Sequence, residues 1–154
     1  MAQDDDAVMR FVGRFAEELV NAGMGRMPAR VWVLLLATDT GRLTAAEIAE
    51  KLQISPAAVS GAVRYLITVN MIAREREPGA RKDHYRVFEQ SWYEALANRD
   101  VLLNRWAAAL GEGAQALGES PAGHRIRESQ EFIEFMQDEL AQMLGRWRER
   151  KRQR

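Results

Sequence analysis

Leu43-Thr44-Ala45-Ala46-Glu47-Ile48-Ala49-Glu50-Lys51-Leu52-Gln53-Ile54-Ser55-Pro56-Ala57-Ala58-Val59-Ser60 is the stretch on which the fold turns. Thr44 followed three residues on by Glu47 is a capping box, in which the threonine side chain takes an amide of the first turn and the glutamate reaches back. Ile48, Ala49 and Leu52 then share the inward face of a short helix, and Ile54 anchors the turn after it. Ser55 caps a second helix and Pro56 takes its first position, where a missing amide costs nothing. Val59, Ala62, Val63, Leu66 and Ile67 form the inward stripe of that second helix, and Asn70 suits a left-handed stop.

Two runs follow, Ile72 to Glu77 and His84 to Phe88, which read as strands around Pro78-Gly79. Helix, turn, helix and basic hairpin in that order describe a winged helix-turn-helix. The predicted fold class is mainly α with a small β wing. The core spans about 24–90, with dimerisation helices at about 5–22 and 91–150. At 154 residues, 1–154 is expected to be a single domain.

Upstream, Val8, Phe11, Val12, Phe15, Leu19 and Val20 recur at helical spacing behind an acidic start. That start, Met1-Ala2-Gln3-Asp4-Asp5-Asp6, resembles neither a secretory signal nor a transit peptide. After Pro28, the run Ala29 to Thr38 is apolar around most of its circumference and is predicted to be central and buried. Downstream, Ser91 is expected to cap a long helix carrying Leu96, Leu103, Leu110 and Leu117 at intervals of seven. Gly118 to Gly123 interrupts it. A last helix places Ile126, Ile133, Leu140 and Trp147 seven apart, with Met136 and Met143 between them.

Composition excludes several classes. There is no cysteine, so disulfides and thiolate metal sites are out, and the two histidines, His84 and His124, have no companion ligand motif. No metal and no cofactor is expected. No nucleophile–base pair or phosphate loop is visible, so an enzyme is not expected either. No apolar run is long enough for a membrane span, and the expected compartment is the cytoplasm. Net charge is zero, but it is uneven: +3 over residues 55–88, −6 over 89–145 and +5 over 146–154. Distribution rather than total sets an electrostatic footprint, and the basic block coincides with the second helix and the hairpin.

Off the inward stripe, Pro56, Ala57, Ser60, Gly61 and Arg64 share one face of the second helix. They are small at the front, which permits close approach to a groove, and Arg64 suits guanine or phosphate. The hairpin adds Arg74, Arg76, Arg81, Lys82 and His84, with Arg81 and Lys82 at the tip. These ten residues are the candidate contacts to double-stranded DNA. Arg74 and Arg76 alternate with Glu75 and Glu77, so cross-strand ion pairs compete with that role. Trp32, Trp92 and Trp106 are candidates for an apolar effector pocket, or plain core.

Val8, Phe11, Phe15, Leu19, Leu110, Leu117, Ile126, Ile133, Met136, Leu140, Met143 and Trp147 are candidates for a homodimer seam, or for the core of a monomer. A dimer would match a pseudo-palindromic operator. The competing reading is a winged-helix protein–protein module without DNA affinity. The tail Arg146 to Arg154 suits a helix C-terminus, DNA flanks or a solvated end.

The chain resembles the MarR family of bacterial transcriptional regulators, especially its GbsR-like branch. The resemblance rests on Ala29-Arg30-Val31-Trp32, on Leu43-Thr44-Ala45-Ala46-Glu47-Ile48-Ala49, on Ser55-Pro56-Ala57-Ala58-Val59-Ser60 and on Gly79 through Val87. It implies a dimer built from N- and C-terminal helices, a regulator that is more often a repressor, and a small-molecule effector of the choline kind. Gly79-Ala80-Arg81 replaces the fuller Asp-x-Arg wing pattern, which leaves Arg81 as the wing contact.

Overall fold

The computed structural model describes residues 2–154, with side chains from Asp5 onward. Met1, at the head of the acidic start, lies outside the described residues. The chain gathers into two compact units, residues 1–94 and 95–154.

The first unit opens with α1 (Ala2–Asn21) and α2 (Arg26–Leu36), then β1 (Arg42–Thr44), α3 (Ala45–Leu52), α4 (Pro56–Thr68), β2 (Ile72–Glu75) and β3 (His84–Val87). The apolar run of α2 is its centre: Ala29, Val31, Trp32, Val33, Leu34 and Leu35 are all buried. Ile48 and Leu52 of α3, Val59, Ala62, Val63 and Leu66 of α4, and Ile72 and Tyr85 of the sheet close around it. The helix starts follow the sequence closely. Thr44 Oγ1 accepts from the Glu47 amide at 3.2 Å while the Thr44 amide donates to Glu47 at 2.7 Å. Ser55 Oγ accepts from the Ala58 amide at 3.1 Å, with Pro56 at the first position.

That same amide of Thr44 is the main reason the Glu47 carboxyl sits below the usual carboxylate range, opposed by some desolvation. A lowered folded value stabilises the fold above the unfolded pKa, and that contribution is lost as pH falls through the folded one. Glu47→Gln should therefore flatten the acid limb of a stability-against-pH profile. An unchanged limb would mean that the box does not bear on stability.

The sheet has the order β1-β3-β2, antiparallel throughout. Two strands were expected and a third is present. Leu43↔Tyr85 pairs β1 with β3, and Arg74↔Tyr85 pairs β2 with β3. β2 stops at Glu75, two residues short of the expected Glu77, where the chain leaves the ladder toward the turn at Gly79, whose φ is +81°, and β3 ends at Val87, opposite Ile72 at the start of β2. Asn70 takes the expected left-handed conformation at φ 57°, and Gln53 does the same at φ 55° after α3.

The expected seam on α1 is divided. Val8, Phe15 and Leu19 pack against this chain's own core, beside the buried Val12 and Ala16, and only Phe11 stays half exposed. Packing on α2 needs a wide stripe, so most of the apolar face of α1 is spent there.

The long helix expected from Ser91 is two helices, α5 (Ser91–Ala97) and α6 (Arg99–Leu117), with Asn98 between them. Ser91 lies inside the first turn of α5, buried, and its hydroxyl donates to the Phe88 carbonyl.

In the second unit α6 packs against α7 (Pro121–Arg152), which Ser120 caps by accepting from the Gly123 amide at 3.1 Å. The corner is tight: a Cβ on Gly123 would lie 2.0 Å from the Gly118 carbonyl oxygen. Gln137 Nε2 donates to Asn104 Oδ1 at 2.7 Å across the pair. Leu103, Ala114 and Leu144 are buried, and Ile126, Ile133 and Leu140 are half-buried. Among the described residues no helix is long and apolar enough to cross a membrane.

Candidate nucleic-acid interface

The capping pattern at Ser55 and the inward stripe of α4 fix which side of that helix faces out. Pro56, Ala57, Ser60, Gly61 and Arg64 are all exposed, as their spacing requires. Arg64 Nη2 lies 3.5 Å from Ser60 Oγ, a turn before it on the same face. Thr68 donates to the Arg64 carbonyl at 2.9 Å, so its hydroxyl is already used within the helix. Tyr65 is 46% exposed beside this face.

Gly61 is informative because the fold does not need it. A Cβ there would meet nothing within 4 Å, and its φ is not positive. Glycine inside a helix costs about 0.5–1 kcal/mol relative to alanine. Gly61→Ala should raise stability by roughly that amount, while weakening DNA binding if the helix seats deeply in a groove. A variant that is both more stable and unimpaired in binding would remove Gly61 from the interface.

On the wing, ion pairs sort the cations into two groups. Asp83 receives Arg76 Nε at 2.7 Å and Arg74 Nε at 3.9 Å, and the Arg74 guanidinium lies 5.7 Å from the centre of the Tyr85 ring. Glu75 receives Arg86, and Glu77 receives Arg42 at 2.9 Å. Cross-strand pairing thus does engage Arg74 and Arg76, but through Asp83 and not through their glutamate neighbours. Arg81 and Lys82 are exposed at the tip and take part in no ion pair among the described residues. Exposed pairs contribute about 0–1 kcal/mol, so a phosphate can compete for Arg74 and Arg76.

His84 is half-buried, its Nδ1 has no partner among the described residues, and its backbone pairs with Thr44, the cap of α3. It therefore sits by the start of α3 and not at the tip. Arg42 and Asp83 are the residues that sequence reasoning missed. Arg42 belongs to the strand that was not foreseen, and Asp83 shows its role only once the hairpin register is known.

Of the three tryptophans, Trp32 and Trp92 belong to the first unit and Trp106 to the second. Trp32 is fully buried, edge-on to Trp92 with ring centres 4.8 Å apart, and Trp92 is 52% exposed and also meets Phe15. Trp106 is on α6 and half exposed. A small cavity of about 120 Å³ lies elsewhere, lined by Gly13, Ala16, Glu17, Val20, Arg26 and Arg30.

A winged helix-turn-helix with a small, exposed face on its second helix and free cations at its wing tip defines a class of nucleic-acid reader. A family model described as the MarR family matches residues 23–83, and one described as an MmpR5-like MarR family transcriptional regulator matches residues 90–150. Each model matches 61 of the 154 residues, so the chain is similar to MarR-family transcriptional regulators over two separate stretches. The HTH-type transcriptional regulator MmpR5 of Mycobacterium tuberculosis is 25% identical over 145 residues, covering 93% of this chain and 88% of that protein. The crystal structure of a transcriptional regulator aligns with TM-score 0.84 at 24% identity, over 93% of this chain and 99% of that one, and supports the same fold. These relatives are transcriptional regulators, not enzymes.

Proposed function

We propose that this chain is a MarR-family transcriptional regulator that binds duplex DNA sequence-specifically as a homodimer, acts as a repressor, and responds to a small molecule. The observation that carries the reading is the shared presentation of the α4 face and the Arg81–Lys82 tip by one module. The helix supplies base contacts and the wing supplies phosphate or minor-groove contacts. Exposed Phe132, Phe135, Met143 and Trp147 on α7 favour a second copy. Trp92, half exposed on the buried Trp32, is where an apolar effector would bear on the core. The GbsR-like placement and a choline-like effector rest on the motif resemblance, whereas the match over 90–150 is to an MmpR5-like model.

Retention of genomic fragments at two salt concentrations tests the central claim. The expected result is selective retention that weakens steeply with salt, because each neutralised phosphate releases counterions. Absence of retention even in dilute salt would overturn it and leave a protein-docking winged helix.

A further inference from the structure

The alternation of side chains along β2 sorts the charges at the base of the wing onto two faces. On one face Glu75 and Glu77 meet Arg42 and Arg86, two acids against two cations. On the other, Arg74 and Arg76 share one acid, Asp83, which immediately precedes β3. Arg74 stands opposite Tyr85 and Glu75 opposite His84, so one further step of the register sets Arg76 opposite Asp83. The carboxylate is divided between the two cations: Oδ1 accepts from Arg76 Nε at 2.7 Å, and Oδ2 lies 3.9 Å from Arg74 Nε. The Tyr85 ring, 5.7 Å from the Arg74 guanidinium, supports the same pose. The Asp83 side chain is 23% accessible, against 54% for Arg74 and 64% for Arg76, so the acid is more covered than the cations it holds.

We infer that Asp83 is a specificity-determining residue that acts through Arg74 and Arg76 and sets the ratio of selective to unselective DNA binding. This rests on the DNA-binding reading proposed above and gives the base of the wing a part in it. Unselective binding follows charge, and an arginine counts toward it whatever its pose. Asp83 cancels one of the two cations beside it, so it lowers affinity for every sequence. A seated operator complex depends on pose as well, because phosphate contacts fix the register of the reading helix in the groove. There Asp83 holds two long side chains in one geometry before DNA arrives, which lowers the ordering cost of the complex. The same acid thus opposes unselective binding and assists the selective complex. Glu77 differs, because it lies on the face where acids and cations already balance.

The test titrates full-length parent, Asp83→Asn, Asp83→Glu and Glu77→Gln with an operator selected from a random pool and with a random-sequence duplex, at several salt concentrations. Asp83→Asn should bind the random duplex about fivefold more tightly, with a salt slope steeper by about 1. Its operator affinity should change by less than about twofold, so the ratio falls. Asp83→Glu keeps the charge and should return the random-duplex slope to that of the parent. Glu77→Gln removes the same charge from the hairpin and should leave the ratio unchanged. These ion pairs are exposed, so all variants should melt with the parent. If Asp83→Asn leaves the ratio unchanged, or Glu77→Gln lowers it equally, net charge accounts for everything and the inference is overturned while DNA binding stands. If the parent retains neither duplex, the DNA-binding reading fails and the role of Asp83 with it.

Discussion

Trp32→Ala is expected to cost about 3–5 kcal/mol of folding stability. The side chain is completely buried at the centre of α2, edge-on to Trp92 at an interplanar angle of 76°. α2 packs directly against α4, so the cavity would open behind that helix. The indole Nε1 has no hydrogen-bond partner among the described residues, and an unpaired buried donor is itself costly. Trp32→Phe removes that donor while keeping a ring, and should cost less than about 1.5 kcal/mol. Denaturant midpoints at constant slope measure both. An alanine variant as stable as the parent would contradict the packing described for α2.

Arg64→Ala and Arg81→Ala should have the opposite profile, with an intact fold and a weakened complex. Both side chains are exposed, so the melting temperature should hold. A bidentate contact to a base contributes about 1–3 kcal/mol, so removing Arg64 should lower affinity roughly 10- to 100-fold for each half-site and relax preference at one base pair in each. Arg81 at the tip should behave as a phosphate ligand: its removal weakens binding to every sequence and reduces the salt slope by about 1 for each phosphate left unneutralised. Titration of a selected operator at several salt concentrations separates the two patterns. If both variants bind as the parent does, the DNA face lies elsewhere on the module.

What the sequence made legible was local. The Thr44–Glu47 box, the Ser55-Pro56 start and the left-handed Asn70 depend on neighbours within a few residues, and all three stand in the structure. The exposed face of α4 followed from the same stripe. What stayed hidden depends on distant partners. β1 is three residues long and exists through pairing with β3, so alternation over Arg42–Thr44 could not announce it. The cations of Arg74 and Arg76 meet Asp83 only because of the hairpin register.

The seven-residue rows change their exposure along each helix for a geometric reason. Seven residues fall about 20° short of two full turns, so such a row drifts around a straight helix. Leu103 is buried, Leu110 half-buried and Leu117 45% exposed; on α7 the row runs from half-buried Ile126 to Trp147 at 44%. One row therefore passes from covered to exposed along its helix, which a list of heptad positions cannot express.

The corner between α6 and α7 bears on how variation in this chain should be interpreted. With 2.0 Å between a notional Cβ at Gly123 and the Gly118 carbonyl oxygen, no side chain fits that position without moving the backbone. The restriction is independent of operator and effector. In any library of variants built to change specificity, position 123 belongs among the fixed sites. An invariant glycine there across diverging descendants would be evidence of shared architecture, and no evidence at all of a shared ligand.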